Sequence, residues 1–135
     1  WQSSDDGGGG AGNNIFGGIF SGNMRMQTAV SATANWVYTA ASTGLASWEW
    51  ASSGSAWTIR KNNVLQTLTV GGGSNNGAWL NISGRDRLGI GTAVYNNIND
   101  SWFDGHIALL AFGNSPLTAD ERAIVYDLIY AQYGV

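Results

Sequence analysis

Apolar side chains recur along this chain in short runs with the two-residue period of β-strands, and turns rich in Gly, Asn and Ser separate the runs. The clearest run alternates between two sets, with Met24, Met26, Thr28 and Val30 in one and Arg25, Gln27 and Ala29 in the other. Successive side chains of a strand point to opposite faces, so this run predicts a half-buried strand. Further strands are predicted at 15–20, 36–39, 48–50, 56–60, 64–70, 78–82 and 87–95, with 96–100 as a loop.

The hairpin predicted between 56–60 and 64–70 turns at Lys61-Asn62-Asn63. Asparagine tolerates positive φ better than most residues, which a tight hairpin turn requires. Upstream, Trp48 and Trp50 share one face of a strand and Glu49 lies on the other. We expect the tryptophans inside predicted strands to lie in the core, namely Trp36, Trp48, Trp50 and Trp57.

The C-terminal part predicts a buried strand followed by a covering helix. Residues 106–112 are apolar on both faces, which predicts a strand covered on both sides. Thr118 and Glu121 have the spacing of a capping box at a helix N-terminus. The helix then carries an apolar stripe and ends where Gly134 suits a C-terminal cap; the stripe is Ile124, Val125, Leu128 and Ile129.

Many short strands and one terminal helix predict an all-β, two-sheet antiparallel sandwich. Residues 1–14 contain the run Gly7 to Gly10 and little apolar surface, so they are interpreted as a Gly-rich linker or loop. Residues 15–135 then form one domain, because a chain of this length supports a single core.

Several motifs of the second half resemble laminin-G-like, concanavalin A-like jelly-roll domains of the lectin and glucanase superfamily. They are Phe103-x-Gly105-x-Ile107-Ala108, Leu117-Thr118-x-Asp120-Glu121-Arg122, Tyr133-Gly134, Asp86 to Gly91, and Trp57 to Asn63. The turn has Asn62-Asn63 where the family has Asn-Gly, and Leu109 stands where the family often has an acidic residue. The resemblance implies a jelly roll, either trimmed at its N-terminus or with further strands before Trp1.

Composition limits the partners that the chain can bind. Charged residues make up 11% of the chain and the formal net charge is -3, which gives no basic footprint for nucleic acid. No apolar run is long enough to insert into a membrane. The chain has no cysteine, which fits both reducing and extracellular compartments.

Catalytic chemistry has little support in the sequence. Glycoside hydrolysis requires two carboxyl groups, and Glu49 has no acidic partner two or four residues away on its strand. His106 is the only candidate base, no Gly-x-Ser-x-Gly elbow is present, and a partly buried His106 bonded to a carbonyl is the simpler interpretation. We therefore predict no enzymatic activity and no catalytic residue, with a glycan hydrolase as the less favoured alternative.

A calcium ion is the one cofactor that the sequence leaves open, since the resembled family often holds Ca²⁺ in its edge loops. Asp100 and Asp104 offer carboxylate oxygens near the amides of Asn96, Asn97 and Asn99. Ordinary Asx turns explain the same residues equally well.

Seven tryptophans in 135 residues suggest a ligand for some of them. Indole rings stack on the apolar faces of sugars, and amides bond to hydroxyl groups. Trp79 follows Asn75 and Asn76, and Trp102 follows the loop with Asn97, so these five residues are the predicted ligand-binding set. Aromatic enrichment is equally typical of protein interfaces.

Two functions remain. The first is a non-enzymatic carbohydrate-binding or adhesion module of an extracellular, cell-surface or virion-surface protein, with glycans as partners. The second is a structural module, such as a decoration, capsid or fibre domain of a virion, that packs against other subunits. A jelly-roll fold serves both purposes, so the fold alone does not decide between them.

Overall fold

The described part of the chain is mostly β and ends in a helix. The computed structural model describes residues 1–5, 14–30, 33–41, 44–78, 85–95, 98–100 and 103–135. The elements in these ranges are β1 Gln2–Asp5, β2 Asn14–Phe20, β3 Asn23–Val30, β4 Thr33–Ala40, β5 Trp48–Ser52, β6 Trp57–Lys61, β7 Val64–Leu65, β8 Thr69–Gly72, β9 Arg85–Gly89, β10 Ala93–Tyr95, β11 Ile98–Asp100 and α1 Ala119–Tyr133.

Six of the described strands form one antiparallel sheet in the order β8-β4-β3-β2-β1-β9. Its centre is the meander β2–β3–β4, in which neighbouring strands pair along their full length. Ser21 and Gly22 join β2 to β3 with positive φ angles of 49° and 75°. Positive φ at both central residues marks the type I′ turn, whose twist matches that of the strands it joins.

One face of this meander forms the core, as the alternation in the sequence predicted. Met24, Met26 and Thr28 of β3 are buried, and the directly opposed residues Ile15 and Val37 of the neighbouring strands are buried with them. A strand with every second side chain buried has a fixed register, because a slip by one residue would expose the whole set.

A second sheet of described strands, in the order β5-β6-β7, covers that face. Trp57 and Ile59 of β6 are 1% and 0% exposed and belong to the same core cluster as Met26 and Val37. The two sheets therefore enclose one apolar layer, which is a sandwich-like arrangement. Trp48 and Trp50 of β5 are only partly buried and pack against the edge of this layer.

The β6–β7 hairpin turns at Asn62 and Asn63, whose φ angles are 48° and 61°. The prediction that two asparagines can replace Asn-Gly at this turn is confirmed. The predicted single strand at 64–70 is instead two strands in different sheets. Val64–Leu65 completes the hairpin, and Thr69–Gly72 pairs with β4 of the larger sheet.

The strand predicted at 87–95 is also divided. Arg85–Gly89 pairs with β1, and Ala93–Tyr95 pairs with Ile98–Asp100, a segment that the sequence predicted as loop. The composition of Ile98–Asp100 is typical of turns, but backbone pairing with β10 makes it a strand. Most of the strand predicted at 78–82 lies outside the described residues.

The linker prediction for residues 1–14 is wrong for Gln2–Asp5, which pairs with β2 on one side and β9 on the other. Its polar residues do not have the sequence pattern of a strand. Pairing with a strand on each side nevertheless satisfies its backbone N–H and C=O groups. Trp1 precedes this strand and packs against the core cluster. The glycine run from Gly7 to Gly10 lies outside the described residues.

The prediction of a buried strand at 106–112 is wrong. This segment has no strand pairing, and Ile107, Leu109 and Phe112 are exposed. Apolar faces indicate a need for cover, but they do not show that a neighbouring strand is free to pair.

Helix α1 begins and ends as predicted. Thr118 and Glu121 form the capping box, with a bond from the Glu121 amide to the Thr118 hydroxyl and from the Thr118 amide to the Glu121 carboxylate. The Thr118 amide and hydroxyl both donate to the Glu121 carboxylate, and these two bonds lower the pKa of Glu121. Gly134 caps the C-terminus in the left-handed conformation. The described part of the chain contains no helix that is both long and apolar enough to cross a bilayer.

The apolar stripe of α1 does not cover a strand as predicted, because the helix has no buried residue. Ile124 and Leu128 are 62% and 67% exposed. The second sheet already covers the core face of the first, so the stripe has no apolar surface there to pack on. The described bond that ties the helix to the sheets is an ion pair between Arg122 and Glu49 of β5, 3.0 Å from Nε to Oε2.

Substitution of Ile59 tests whether β6 carries the core. Ile59→Ala removes a fully buried side chain and should lower the free energy of unfolding by about 2–5 kcal/mol. Val64→Ala, on the exposed end of the same hairpin, should change it by less than about 0.5 kcal/mol. Urea denaturation measures both, and equal losses in the two variants would contradict this packing.

Candidate functional site

The outer face of the six-stranded sheet, opposite the core, carries aromatic side chains and one arginine. Arg25 of β3 is directly opposite Tyr38 of β4, and the next outward pair is Gln27 with Trp36. Phe20, at the end of β2, is opposite Asn23 on the same face. Directly opposed residues of paired strands lie on the same face, so these side chains share one surface.

These side chains surround a cavity of about 280 Å³ that is open to solvent. We call it the outer-face cavity, and it is lined by Phe20, Ser21, Asn23, Arg25, Trp36 and Tyr38. The Ser21-Gly22 turn closes one end, with the Asn23 side-chain amide donating to the Ser21 carbonyl at 3.2 Å. The cavity thus combines three aromatic rings, a hydroxyl, an amide and a guanidinium.

Arg25 lies between two rings. Its Cζ is 3.8 Å from the centre of the Trp36 ring and 4.9 Å from that of Phe20, which places the cation over both faces. Its Nε is buried and has no hydrogen-bond partner. Burial lowers the pKa of Arg25, although an arginine keeps its charge at any ordinary pH. Packing therefore holds the guanidinium in place without a carboxylate from the described residues.

Trp36 is positioned by glycines on the neighbouring strand. Its indole lies over the backbone of β8, and a Cβ atom at Gly71 or Gly72 would overlap the ring. Tyr38 packs beside it, with the two ring centres 5.4 Å apart and the rings tilted by 30°. Trp36 was expected in the core. It is instead partly exposed on the outer face, because Val37 occupies the core side of the strand.

The structure describes two of the five predicted ligand-binding residues, Asn75 and Asn76. Trp79, Trp102 and Asn97 lie outside the described residues. Asn75 bonds through its side chain to the backbone of Trp57, accepting from the amide at 2.6 Å and donating to the carbonyl at 3.1 Å. Asn76 is exposed and accepts from the Ala78 amide in an Asx turn. Asn75 thus extends the edge of β6, and neither asparagine lines the outer-face cavity.

The residues considered for catalysis are separated in the structure. The Glu49 carboxylate accepts a hydrogen bond from Arg122 Nε at 3.0 Å. Glu49, on the other face of the strand from Trp48 and Trp50, thus links β5 to helix α1. His106 is exposed, so the expectation of a partly buried histidine is wrong. The segment around it forms no strand and does not cover it.

The described residues include only some of the proposed calcium ligands. Asp104 is exposed, and Asp100 pairs through its backbone with Ala93. Asn96 and Asn97 lie outside the described residues. No group of three or more His, Cys, Asp or Glu side chains that could hold a metal ion occurs within the described ranges. Calcium binding stays a prediction.

Sequence reasoning missed Arg25, Trp36 and Tyr38 as site residues. The alternation along β3 already placed Arg25 on the face of the strand away from Met24 and Met26. This is the one sequence signal for a residue of the outer face. Along β4 both faces are apolar or aromatic, so the sequence could not tell which face Trp36 would occupy. The site depends on pairing between strands, which no single strand reveals.

Comparison of the chain with family models, curated proteins and solved structures found no match. The likeness to concanavalin A-like domains therefore rests on the sequence motifs, and the site has to be interpreted from its own chemistry.

The close approach of Trp36 to β8 can be tested with a double-mutant cycle. Gly71→Ala should destabilise the protein by about 1–3 kcal/mol, because the new methyl group overlaps the indole. In a Trp36→Ala background the same change should be neutral or slightly stabilising, since a strand alanine then replaces a flexible glycine. Equal effects of Gly71→Ala in both backgrounds, by urea denaturation, would contradict the contact.

Proposed function

We propose that this chain is a non-enzymatic carbohydrate-binding or adhesion module, built on a concanavalin A-like jelly-roll sandwich, and that the outer-face cavity is its binding site. The observation that carries the proposal is the combination of Trp36, Tyr38 and Phe20 with polar groups around one open cavity on a regular sheet. The proposal moves the site from Trp79 and Trp102 to the outer face, and those two residues remain candidates for an extension of it.

The chemistry of the cavity suits a sugar ring. Aromatic faces stack on the C–H faces of pyranoses, and the Ser21 hydroxyl and Asn23 amide can bond to sugar hydroxyls. At about 280 Å³ the cavity is at the small end of ligand sites, which commonly measure about 300–1,000 Å³. That size favours one ring of a saccharide, with the rest of the chain lying along the sheet.

The lining favours binding without cleavage. Glycoside hydrolysis uses two carboxyl groups on either side of the scissile bond. None of the described side chains that line the cavity is a carboxylate, and Glu49 is bonded to Arg122 instead. We place such a binding module on an extracellular, cell-surface or virion-surface protein.

Trp36→Ala tests the proposed site. It should weaken saccharide binding by at least about tenfold in Kd while the fold persists, because the indole lines the cavity and holds Arg25 in place. Trp48→Ala is the matched control, because Trp48 is also covered by a cation but lies in the three-stranded sheet. Lys61 Nζ is 5.9 Å from the centre of the Trp48 ring. Isothermal titration calorimetry against a panel of neutral and acidic oligosaccharides measures both variants.

Circular dichroism and thermal melting should accompany that titration, so that loss of binding is separated from loss of fold. Binding that survives Trp36→Ala but disappears in Trp48→Ala would contradict the outer-face site.

A structural module is the second candidate, and one observation favours it. The described C-terminal segment exposes many apolar side chains, more than an isolated surface usually leaves uncovered. They are Phe103, Ile107, Leu109, Phe112, Ile124, Val125, Leu128, Tyr130 and Tyr133. Contact with other subunits of a surface or virion assembly would cover them.

Light scattering distinguishes the two candidates. If the C-terminal segment packs against other copies, the particle mass should rise with protein concentration, and Ile124→Gln with Leu128→Gln should return it to that of a monomer. Val64→Gln with Leu65→Gln is the control, since both side chains are exposed on the β6–β7 hairpin, away from the C-terminal segment in sequence. A monomer at every concentration would contradict self-association.

A further inference from the structure

The charge of the outer-face cavity suggests which saccharides it binds, and this inference rests on the proposed function. We infer that the ligand is an acidic saccharide, and that Arg25, which covers the Trp36 ring, binds the carboxylate of a uronic or sialic acid residue that lies in the outer-face cavity. The observations that carry it are the placement of Arg25, the absence of a partner for it among the described residues, and the lack of an acidic side chain among the described residues that line the cavity.

Arg25 is the one charged residue on the strands that form the site. The sequences of β2, β3, β4 and β8 contain no Asp, Glu or Lys and no other Arg. The described residues that line the cavity include no acidic side chain. The described structure gives Arg25 no hydrogen bond or ion pair, only contacts with two rings. A partly buried cation without a counter-charge therefore borders an open cavity.

Removal of a guanidinium from water is unfavourable unless its N–H groups gain partners. Cation–π contact with Trp36 and Phe20 offsets part of this cost, but it gives the N–H groups no hydrogen-bond acceptor. The buried Nε cannot reach a ligand, so the two terminal nitrogens provide the available edge. A carboxylate matches that edge with two parallel N–H···O bonds.

Contact with the two rings also restricts the Arg25 side chain before a ligand arrives. A side chain that is already ordered loses less conformational freedom on binding, so more of the interaction appears as affinity. The same sheet holds Trp36 over Gly71 and Gly72. Trp36 of β4 and Arg25 of β3 are thus held together as diagonal neighbours, because Trp36 pairs with Gln27 and Arg25 pairs with Tyr38.

A purely structural role for Arg25 is the competing interpretation, in which the side chain only shields Trp36 and Phe20 from water. The two interpretations differ in what they predict for ligands. A structural arginine affects all saccharides alike, whereas a carboxylate-binding arginine distinguishes an acid from its neutral derivative.

Matched probes make this distinction. Oligosaccharides of galacturonate, glucuronate and N-acetylneuraminate would each be titrated beside their methyl esters, which keep the rings and remove the charge. For at least one pair, the acid should bind the wild-type protein about tenfold or more tightly than the ester, as charge-assisted hydrogen bonds predict. Arg25→Gln should remove that preference, and Arg25→Lys should restore only part of it.

Lys61→Gln is the charge-matched control, because it removes one positive charge over Trp48 on the other sheet. It should leave the preference for acids unchanged. Thermal melting of each variant shows whether it is folded, and Arg25→Lys keeps the charge over the rings if Arg25→Gln does not fold.

These titrations test the role of Arg25 and the carbohydrate-binding function separately. Acids and esters that bind equally, or a preference that survives Arg25→Gln, would overturn the role of Arg25 and leave the carbohydrate-binding function standing. Failure of every acid, ester and neutral saccharide to bind would overturn the proposed function itself.

Discussion

The structure depends on the burial of one face of the β2–β3–β4 meander beneath Trp57 and Ile59. Because strand side chains alternate between faces, once Met26 and Val37 are in the core, Arg25, Trp36 and Tyr38 must lie outside. The residues of the candidate site are therefore positioned by the core they do not touch. A slip of one residue would bury the arginine and expose the methionines, which is far too costly to occur.

The candidate site on the outer face is built by paired strands and one tight turn. Glycines on β8 leave room for the Trp36 indole, and the tight turn after Phe20 closes the other end of the cavity. The arginine is kept between the rings by contacts that use none of its hydrogen-bonding capacity. The core face of these strands is therefore mainly apolar, and the opposite face carries the candidate site. The alternation of side chains along each strand allows both.

Local signals in the sequence predicted the local features well. The alternation along β3, the Asn62-Asn63 turn and the capping box of Thr118 and Glu121 are all confirmed, since each depends on neighbours in sequence. Features that depend on distant pairing were missed. Gln2–Asp5 is a strand because β2 and β9 flank it, and 106–112 is not, although its side chains are far more apolar. Trp36 was misplaced for the same reason.

The proposed role of Arg25 requires that the side chain is held by Trp36 and Phe20 and that no described residue forms a hydrogen bond or ion pair with it. An NMR spectrum that observes arginine Nε–Hε groups tests this directly, first without ligand and then with a saccharide acid. The account predicts an Arg25 signal shifted upfield by the Trp36 ring and slow to exchange with water, which moves with the Trp36 indole signal on titration while that of Trp57 stays in place. An Arg25 signal at the position of a solvated arginine, unchanged by the saccharide, would contradict it.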